Sequence, residues 1–177
     1  PPHVHSSAFR LVSGVPRKLV PMALPLVHIW SDGACSPNPG TGGWGAVLIA
    51  PDHGNRRKEL SGAEANTTNN RMELTGAIRA LQQLKGPSHV VLHTDSQYVK
   101  NAFTNRWLEK WQKNGWKTAA KKAVLNEDLW RQMLQLTSTH EMEWVWVPGH
   151  ADNVENNRCD ELAVAARMEL ARQLGTR

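Results

Sequence analysis

The chain has 177 residues, enough for one domain with a substantial core, and its 40% hydrophobic and 21% charged content argues against disorder. No stretch approaches the roughly 20 apolar residues of a membrane-spanning helix. Cys35 and Cys159 lie far apart with no CxxC spacing, which points away from a disulfide framework or a zinc site and towards reduced thiols in a cytoplasmic protein. The net charge of +5 is unevenly placed: seven bases and one acid, Glu109, lie between Lys100 and Lys122, so the rest of the chain is slightly acidic. Such a local basic excess is expected of a surface that binds a polyanion.

Residues 1–21 carry three bases, four prolines and no acid. They are expected to be a non-native or flexible extension, with Met22 as the natural start of a single domain over 22–177. Leu26 to Asp32 reads as a strand, "SPNPGTGG" as a turn and "WGAVLIA" as a second strand, together a hairpin. A third strand is expected around Arg56–Gly62. The polar stretch "NTTNN" then caps a helix of about four turns that ends at Gly86-Pro87. Leu74, Ala77, Ile78, Leu81 and Leu84 form its apolar stripe, and Glu73 sits at the edge of that stripe, where a carboxylate is partly desolvated and needs a counter-charge.

"HVVLHTD", residues 89–95, reads as a compact buried strand, and "SQYVKNAF" opens another helix before the basic tract. Asn126 is expected to cap a helix through Leu136 with its side-chain oxygen. "EMEWVWV" alternates as a fifth strand and stops at Pro148-Gly149. The last helix carries Cys159, Leu162, Ala163, Ala166 and Leu170 on one face, and the residues after Met168 extend it. Three strands, helix, strand, helices, strand, helix implies an α/β domain built on a mixed five-stranded sheet.

Four acids fall where sites collect. Asp32 and Asp95 each end a strand, Glu73 lies in the first turn of one helix, and Asp160 lies early in another. If they converge they need cations, and hard oxygen ligands suit Mg²⁺ or Mn²⁺. If they do not, acids at such positions simply cap strand ends and helix N-termini. Spacing leaves both readings open.

The motifs "SDGACSPNPGTGGWGAVL", "TTNNRMEL", "TDSQYV", "GWKTAAKK" and "VPGHADNVENNRCDELA" occur in one order across about residues 26–166, and together they resemble a bacterial type 1 ribonuclease H. The resemblance implies the ribonuclease H-like fold, with the first three strands antiparallel and the later ones parallel. It implies an endonuclease that hydrolyses the RNA strand of RNA–DNA hybrids, leaves 5′-phosphate and 3′-hydroxyl ends, and helps remove RNA primers and R-loops. Asp32, Glu73, Asp95 and Asp160 are then the metal-binding acids, Asp32 being shared between two Mg²⁺ ions, and His150 the histidine of a catalytic loop. Two ions roughly 3.5–4 Å apart can activate a water and hold the departing oxygen. The chain departs from the family in carrying Pro148 where relatives often have a basic residue, which stiffens the approach to His150.

Substrate choice must rest on groove shape and 2′-hydroxyls, not on base sequence. The resemblance implies that Asn38 and Thr68 seat a DNA-strand phosphate and that Asn69, Asn70 and Gln97 contact the minor groove. Turn and capping chemistry accounts equally well for these residue types. In the tract around 100–122, Trp107 and Trp111 share a helix face and are expected to hold a protrusion together. Trp116 is expected to lie flat against a deoxyribose, and Lys113, Lys117, Lys121 and Lys122 to bind phosphates. A DNA-processing transposase or resolvase of the same fold would share the acids but lack "TTNNRMEL" and the Trp/Lys tract. A non-catalytic hybrid-binding module would be expected to have lost an acid. A monomer is expected, because no apolar stripe is left over for a partner.

Overall fold

The computed structural model describes residues 23–148 and 152–175 in full, and the backbone of residues 8–11. Its centre is the sheet the chain pattern predicts. Strand β2 (Leu26–Cys35) turns through Ser36–Pro39 into β3 (Gly40–Ala50), and β3 pairs in turn with β4 (Arg56–Thr67), all antiparallel. Strands β5 (His89–Thr94) and β6 (Glu141–Trp146) then add in parallel on the other side of β2. One further strand joins this five-stranded core. β1 (Ala8–Leu11) pairs antiparallel with the outer edge of β6, giving the order β1-β6-β5-β2-β3-β4. It comes from the segment expected to be an extension, and the open edge of β6 gives it backbone partners.

Helix α1 (Asn69–Leu81) packs on one face of this sheet. Leu74, Ala77, Ile78 and Leu81 are buried there with Ile29, Ala46, Leu48, Val90 and Leu92. The same core receives α2 (Gln97–Thr104), α3 (Trp107–Asn114) and α4 (Glu127–Thr137), with Trp130 and Met133 fully buried. Alternation along β3 turns Gly43, Gly45 and Val47 to the opposite face, where α5 (Val154–Gln173) lies. α1 is capped as expected: Thr68 Oγ1 accepts from Arg71 N at 3.2 Å. Asn126 does stand at the N-cap of α4, but its side chain makes no cap. The residue adopts a left-handed φ of 60°, its Nδ2 donates to Tyr98 Oη, and its Oδ1 accepts from Arg71.

The seat of α5 depends on a missing side chain. A Cβ at Gly45 would lie 2.4 Å from the Cys159 carbonyl oxygen and 2.7 Å from Leu162 Cβ. Any larger residue therefore pushes the helix off the sheet. Gly45→Ala is expected to lower unfolding free energy by about 1–3 kcal/mol, the usual range for overpacking. Chemical denaturation checks this, and an unchanged midpoint would show that the helix yields without strain.

Candidate active site

Strand pairing brings Asp32 and Asp95 together. β2 and β5 run parallel with Trp30 level with His93. Two residues further along each chain, on the same side of the sheet, come Asp32 and Asp95. Glu73 arrives from α1, and another glycine makes that possible. A Cβ at Gly33 would lie 2.5 Å from Glu73 N and 2.8 Å from Met72 Cβ, so only glycine lets α1 press its second turn against β2. One carboxylate oxygen from each of Asp32, Glu73 and Asp95 lies within 4.8 Å of the others. Asp160 is not part of that trio: it is exposed, on the second turn of α5. Its place beside the trio follows from register. Gly45 is the β3 partner of Asp32 and also the residue against which Cys159 rests, so Asp160 follows directly after that contact. Its charge acts on Asp32.

The trio is electrostatically costly. Burial first, then the charge of Asp95, with smaller effects from Asp160 and Glu73, pushes the Asp32 carboxyl up to about 8 against the Gly33 amide that donates to it at 2.8 Å. Burial and Asp95 likewise push Glu73 up to about 7, despite donation from Ser96 Oγ at 2.5 Å and Asn69 Nδ2 at 3.2 Å. Among the described residues, the groups that lower these two values are the neutral donors Gly33 N, Ser96 Oγ and Asn69 Nδ2. Oxygen ligands and high negative charge, with no basic partner among the described residues, are the conditions that suit a hard divalent ion. The donor set fits such an ion.

Around the acids, Asn38 Oδ1 accepts from the Asn69 amide at 3.1 Å, tying the β2–β3 turn to the start of α1. Asn70 and Gln97 are exposed, and Thr68 serves as the α1 cap. His150 lies outside the described residues, while Pro148 is exposed. The basic protrusion consists of α3 followed by a small hairpin. In it Lys117 bridges Ala123, Thr118 N donates to Lys122 O, and Val124 N donates to Trp116 O. Lys113, Lys117, Lys121 and Lys122 are all exposed on it. Trp116 departs from the expectation of a ring laid open to a sugar. It is 6% exposed, lies tilted beside Trp111 with centroids 5.9 Å apart, and is covered by the Arg131 guanidinium at 4.6 Å. Val124, pinned to Trp116 by the hairpin, is buried in the same core. The half-exposed rings of the protrusion are instead Trp107 and Trp111.

Residues 25–168 match the family described as RNase H. The chain belongs to the ribonuclease H family. It is 60% identical over 147 residues to a protein named ribonuclease H from Moorella thermoacetica, covering 83% of this chain and 95% of that one. Among solved structures, LC9-RNase H1, described as a type 1 RNase H with the type 2 active-site motif, matches with a TM-score of 0.73 and 32% identity over 85% of this chain and 75% of that one. LC11-RNase H1, solved in complex with an RNA/DNA hybrid, shares the fold at 23% identity with a TM-score of 0.61, over 81% of this chain and 98% of that one.

Two side chains at the acidic site of this ribonuclease H family member escaped the sequence reading. Ser96 both donates to Glu73 and caps α2 by accepting from Val99 N at 3.1 Å. A serine directly after a strand and before a helix signals only the cap. Asn156, on the first turn of α5, is 5% exposed and places Nδ2 3.5 Å from Asp95 Oδ2. Its signal was helical spacing: Asn156, Cys159 and Ala163 form one buried stripe at i, i+3 and i+7.

The raised values give a signed pH dependence. Asp32 and Glu73 rise from ordinary values of 3.8 and 4.5 to about 8 and about 7 on folding, so the native state holds their protons more tightly. Their contribution to stability is complete below about pH 4 and is lost as pH climbs through 7 and 8. In chelator, the melting temperature is expected to fall across that window, more steeply than in Asp32→Asn. With excess Mg²⁺ the fall should vanish, because the ion takes the place of the protons. Identical slopes for the two proteins in chelator would refute the coupling.

Proposed function

We propose that this chain is an endonuclease that hydrolyses the RNA strand of RNA–DNA hybrids, leaving 5′-phosphate and 3′-hydroxyl ends. The observation that carries the reading is the convergence of Asp32, Glu73 and Asp95 with no cationic partner among the described residues. Mg²⁺, with Mn²⁺ as a substitute, is the ion this set would hold, joined by Asp160 from α5. Bound divalent ions would supply a nucleophilic water at neutral pH and charge stabilisation for the phosphate.

The chain's own residues do the rest. Ser96 and Asn69 hold the Glu73 carboxylate in one orientation, and the Gly33 amide does the same for Asp32. Asn38, Thr68, Asn69, Asn70 and Gln97 line the approach on the side of the α1 and α2 N-termini, where neutral donors and acceptors suit sugars and phosphate oxygens. His150 is assigned proton relay or product release. The exposed lysines of the protrusion grip the DNA strand by charge, and Trp107 and Trp111, not Trp116, offer ring faces to it. Removal of RNA primers and R-loops, a cytoplasmic location and a monomeric state complete the reading. No described helix is long and apolar enough to cross a membrane. The exposed large apolar side chains Leu125, Val154, Met168 and Leu174 are spread along the chain.

A non-catalytic hybrid-binding module is disfavoured by the intact acid trio, and a transposase-like activity by the lysine-bearing protrusion. Incubation with matched RNA–DNA, RNA–RNA and DNA–DNA duplexes in Mg²⁺ separates these possibilities: only the hybrid should be cut, and only in its RNA strand. Asp32→Asn is expected to abolish turnover while largely preserving hybrid binding, and near-normal cleavage by it would refute the central role of that carboxylate. Replacing Lys113, Lys117, Lys121 and Lys122 together should weaken binding and flatten its salt dependence by about 0.9 log units per lost phosphate contact. An unchanged slope would remove the protrusion from the binding surface.

A further inference from the structure

On the far side of α5 from the acids lies a network of charges that the reaction does not use. Arg158 donates to both carboxylate oxygens of Glu59 on β4, Nε at 2.8 Å and Nη2 at 3.0 Å. Arg57, two residues earlier on β4, donates to Glu59 at 3.0 Å and to Glu155 on the first turn of α5 at 2.5 Å. Glu161 closes the group from within the helix, accepting from Arg158 Nη1 at 3.0 Å. The two guanidiniums hold the Glu59 carboxyl well below the usual carboxylate range. Isolated surface ion pairs contribute little, but a shared bidentate network is the exception.

The position of this network gives it a consequence. It grips Glu155 and Arg158, and those residues bracket Asn156 in the same turn and lie just before Asp160. Asn156 meets Asp95 at the outer limit of a hydrogen bond, and its Oδ1 is buried with no partner among the described residues. A buried amide with one long bond and one unsatisfied oxygen is held weakly by its own side-chain contacts. Further along the helix, contact with Gly45 at Cys159 and with Gly43 at Ala163 sets how close α5 lies to β3. The first turn lies beyond those contacts; its N-cap, Asn153 Oδ1 accepting from Asn156 N at 2.8 Å, is local to the helix, and the charge network joins it to β4.

We propose that the Arg57–Glu59–Arg158–Glu155 network is a positioning device for the acidic site, fixing the first turns of α5 so that Asn156 meets Asp95 and Asp160 stands beside Asp32. The inference rests on the reading of those acids as the metal centre. Its residues touch neither ion nor substrate; they act through Asn156 and Asp160. Loosening the network therefore weakens the site's hold on a divalent cation and leaves the chemistry of a filled site intact.

Glu59→Gln, Arg158→Gln and the double variant test this against two references. Glu59→Asp keeps the charge, and Glu169→Gln breaks the separate Arg172–Glu169 pair near the far end of α5. Mg²⁺ binding to the free protein is measured by calorimetry, and half-saturation by Mg²⁺ in hybrid cleavage. Direct partners of metal ligands typically change affinity about 10- to 100-fold, so a network one step further out is expected to weaken Mg²⁺ about 3- to 10-fold. The double variant should lose no more than either single one, Glu59→Asp should recover part of the loss, and Glu169→Gln should match the parent. kcat at saturating Mg²⁺ and KM for hybrid should stay near parental values. Parental Mg²⁺ affinity in both single variants would overturn the proposal. A parallel fall in melting temperature, saturated kcat and Mg²⁺ affinity would also overturn it, by reducing the network to a general prop. If the parent binds Mg²⁺ but cuts no hybrid, the functional reading fails instead.

Discussion

Three carboxylates are held close together, Asp32 buried and Glu73 and Asp95 part-buried, with no positive side chain among the described residues to offset them. That arrangement is unfavourable in the bare fold, as the upward shifts of Asp32 and Glu73 register. A folded chain tolerates such a cluster when the rest of the domain over-determines it. Here the determinants are the backbone pairing of β2 with β5 and the core of Ile29, Leu74, Val90 and Leu92 behind it. The acids are thus kept in place by a scaffold they do not stabilise, in an arrangement whose charge and oxygen donors suit a divalent cation.

The fourth acid is held differently. Asp32, Glu73 and Asp95 come from elements that pack into the main core, whereas Asp160 belongs to α5, the one described helix on the other sheet face. That helix carries few large buried side chains, with Asn156, Cys159 and Ala163 as its inward stripe. Its seat depends on two features: the absence of side chains at Gly43 and Gly45, and the charge network to β4. Small residues set its depth; ion pairs oppose its tilt. The acid site is therefore assembled across both faces of the sheet, and its geometry is sensitive to groups well removed from the acids.

The protrusion separates packing from charge. Trp116 and Val124 are buried, Arg131 covers the Trp116 ring, and the hairpin between them turns outward. Lys117, Lys121 and Lys122 occupy that hairpin, where a compact aromatic base carries them without any of them entering the core. Burying one tryptophan at the root of the hairpin lets three lysines be presented on a short, firm loop.

Much of this was legible in the chain itself. Alternation and apolar runs marked four of the five core strands, since a strand's two faces meet different solvents; β4, largely exposed and polar, lacks that pattern and runs on to Thr67, past the Gly62 end expected for it. The α1 cap at Thr68 and the extension of α5 past Met168 followed from local chemistry. The family motifs singled out the acids, whose chemical types do not depend on where the backbone carries them. Other features depended on partners distant in sequence. Whether a tryptophan is core or platform turned on Val124 and Arg131. Whether Asn126 caps turned on Tyr98 and Arg71, which drew its side chain away from the helix. The pairing of β1 with β6 turned on an open sheet edge. Residue type and spacing determined which groups this protein has for chemistry. Only the tertiary structure decided which of them meet, because proximity is set by strand register and by glycines such as Gly33 and Gly45, whose effect lies in the side chain they lack.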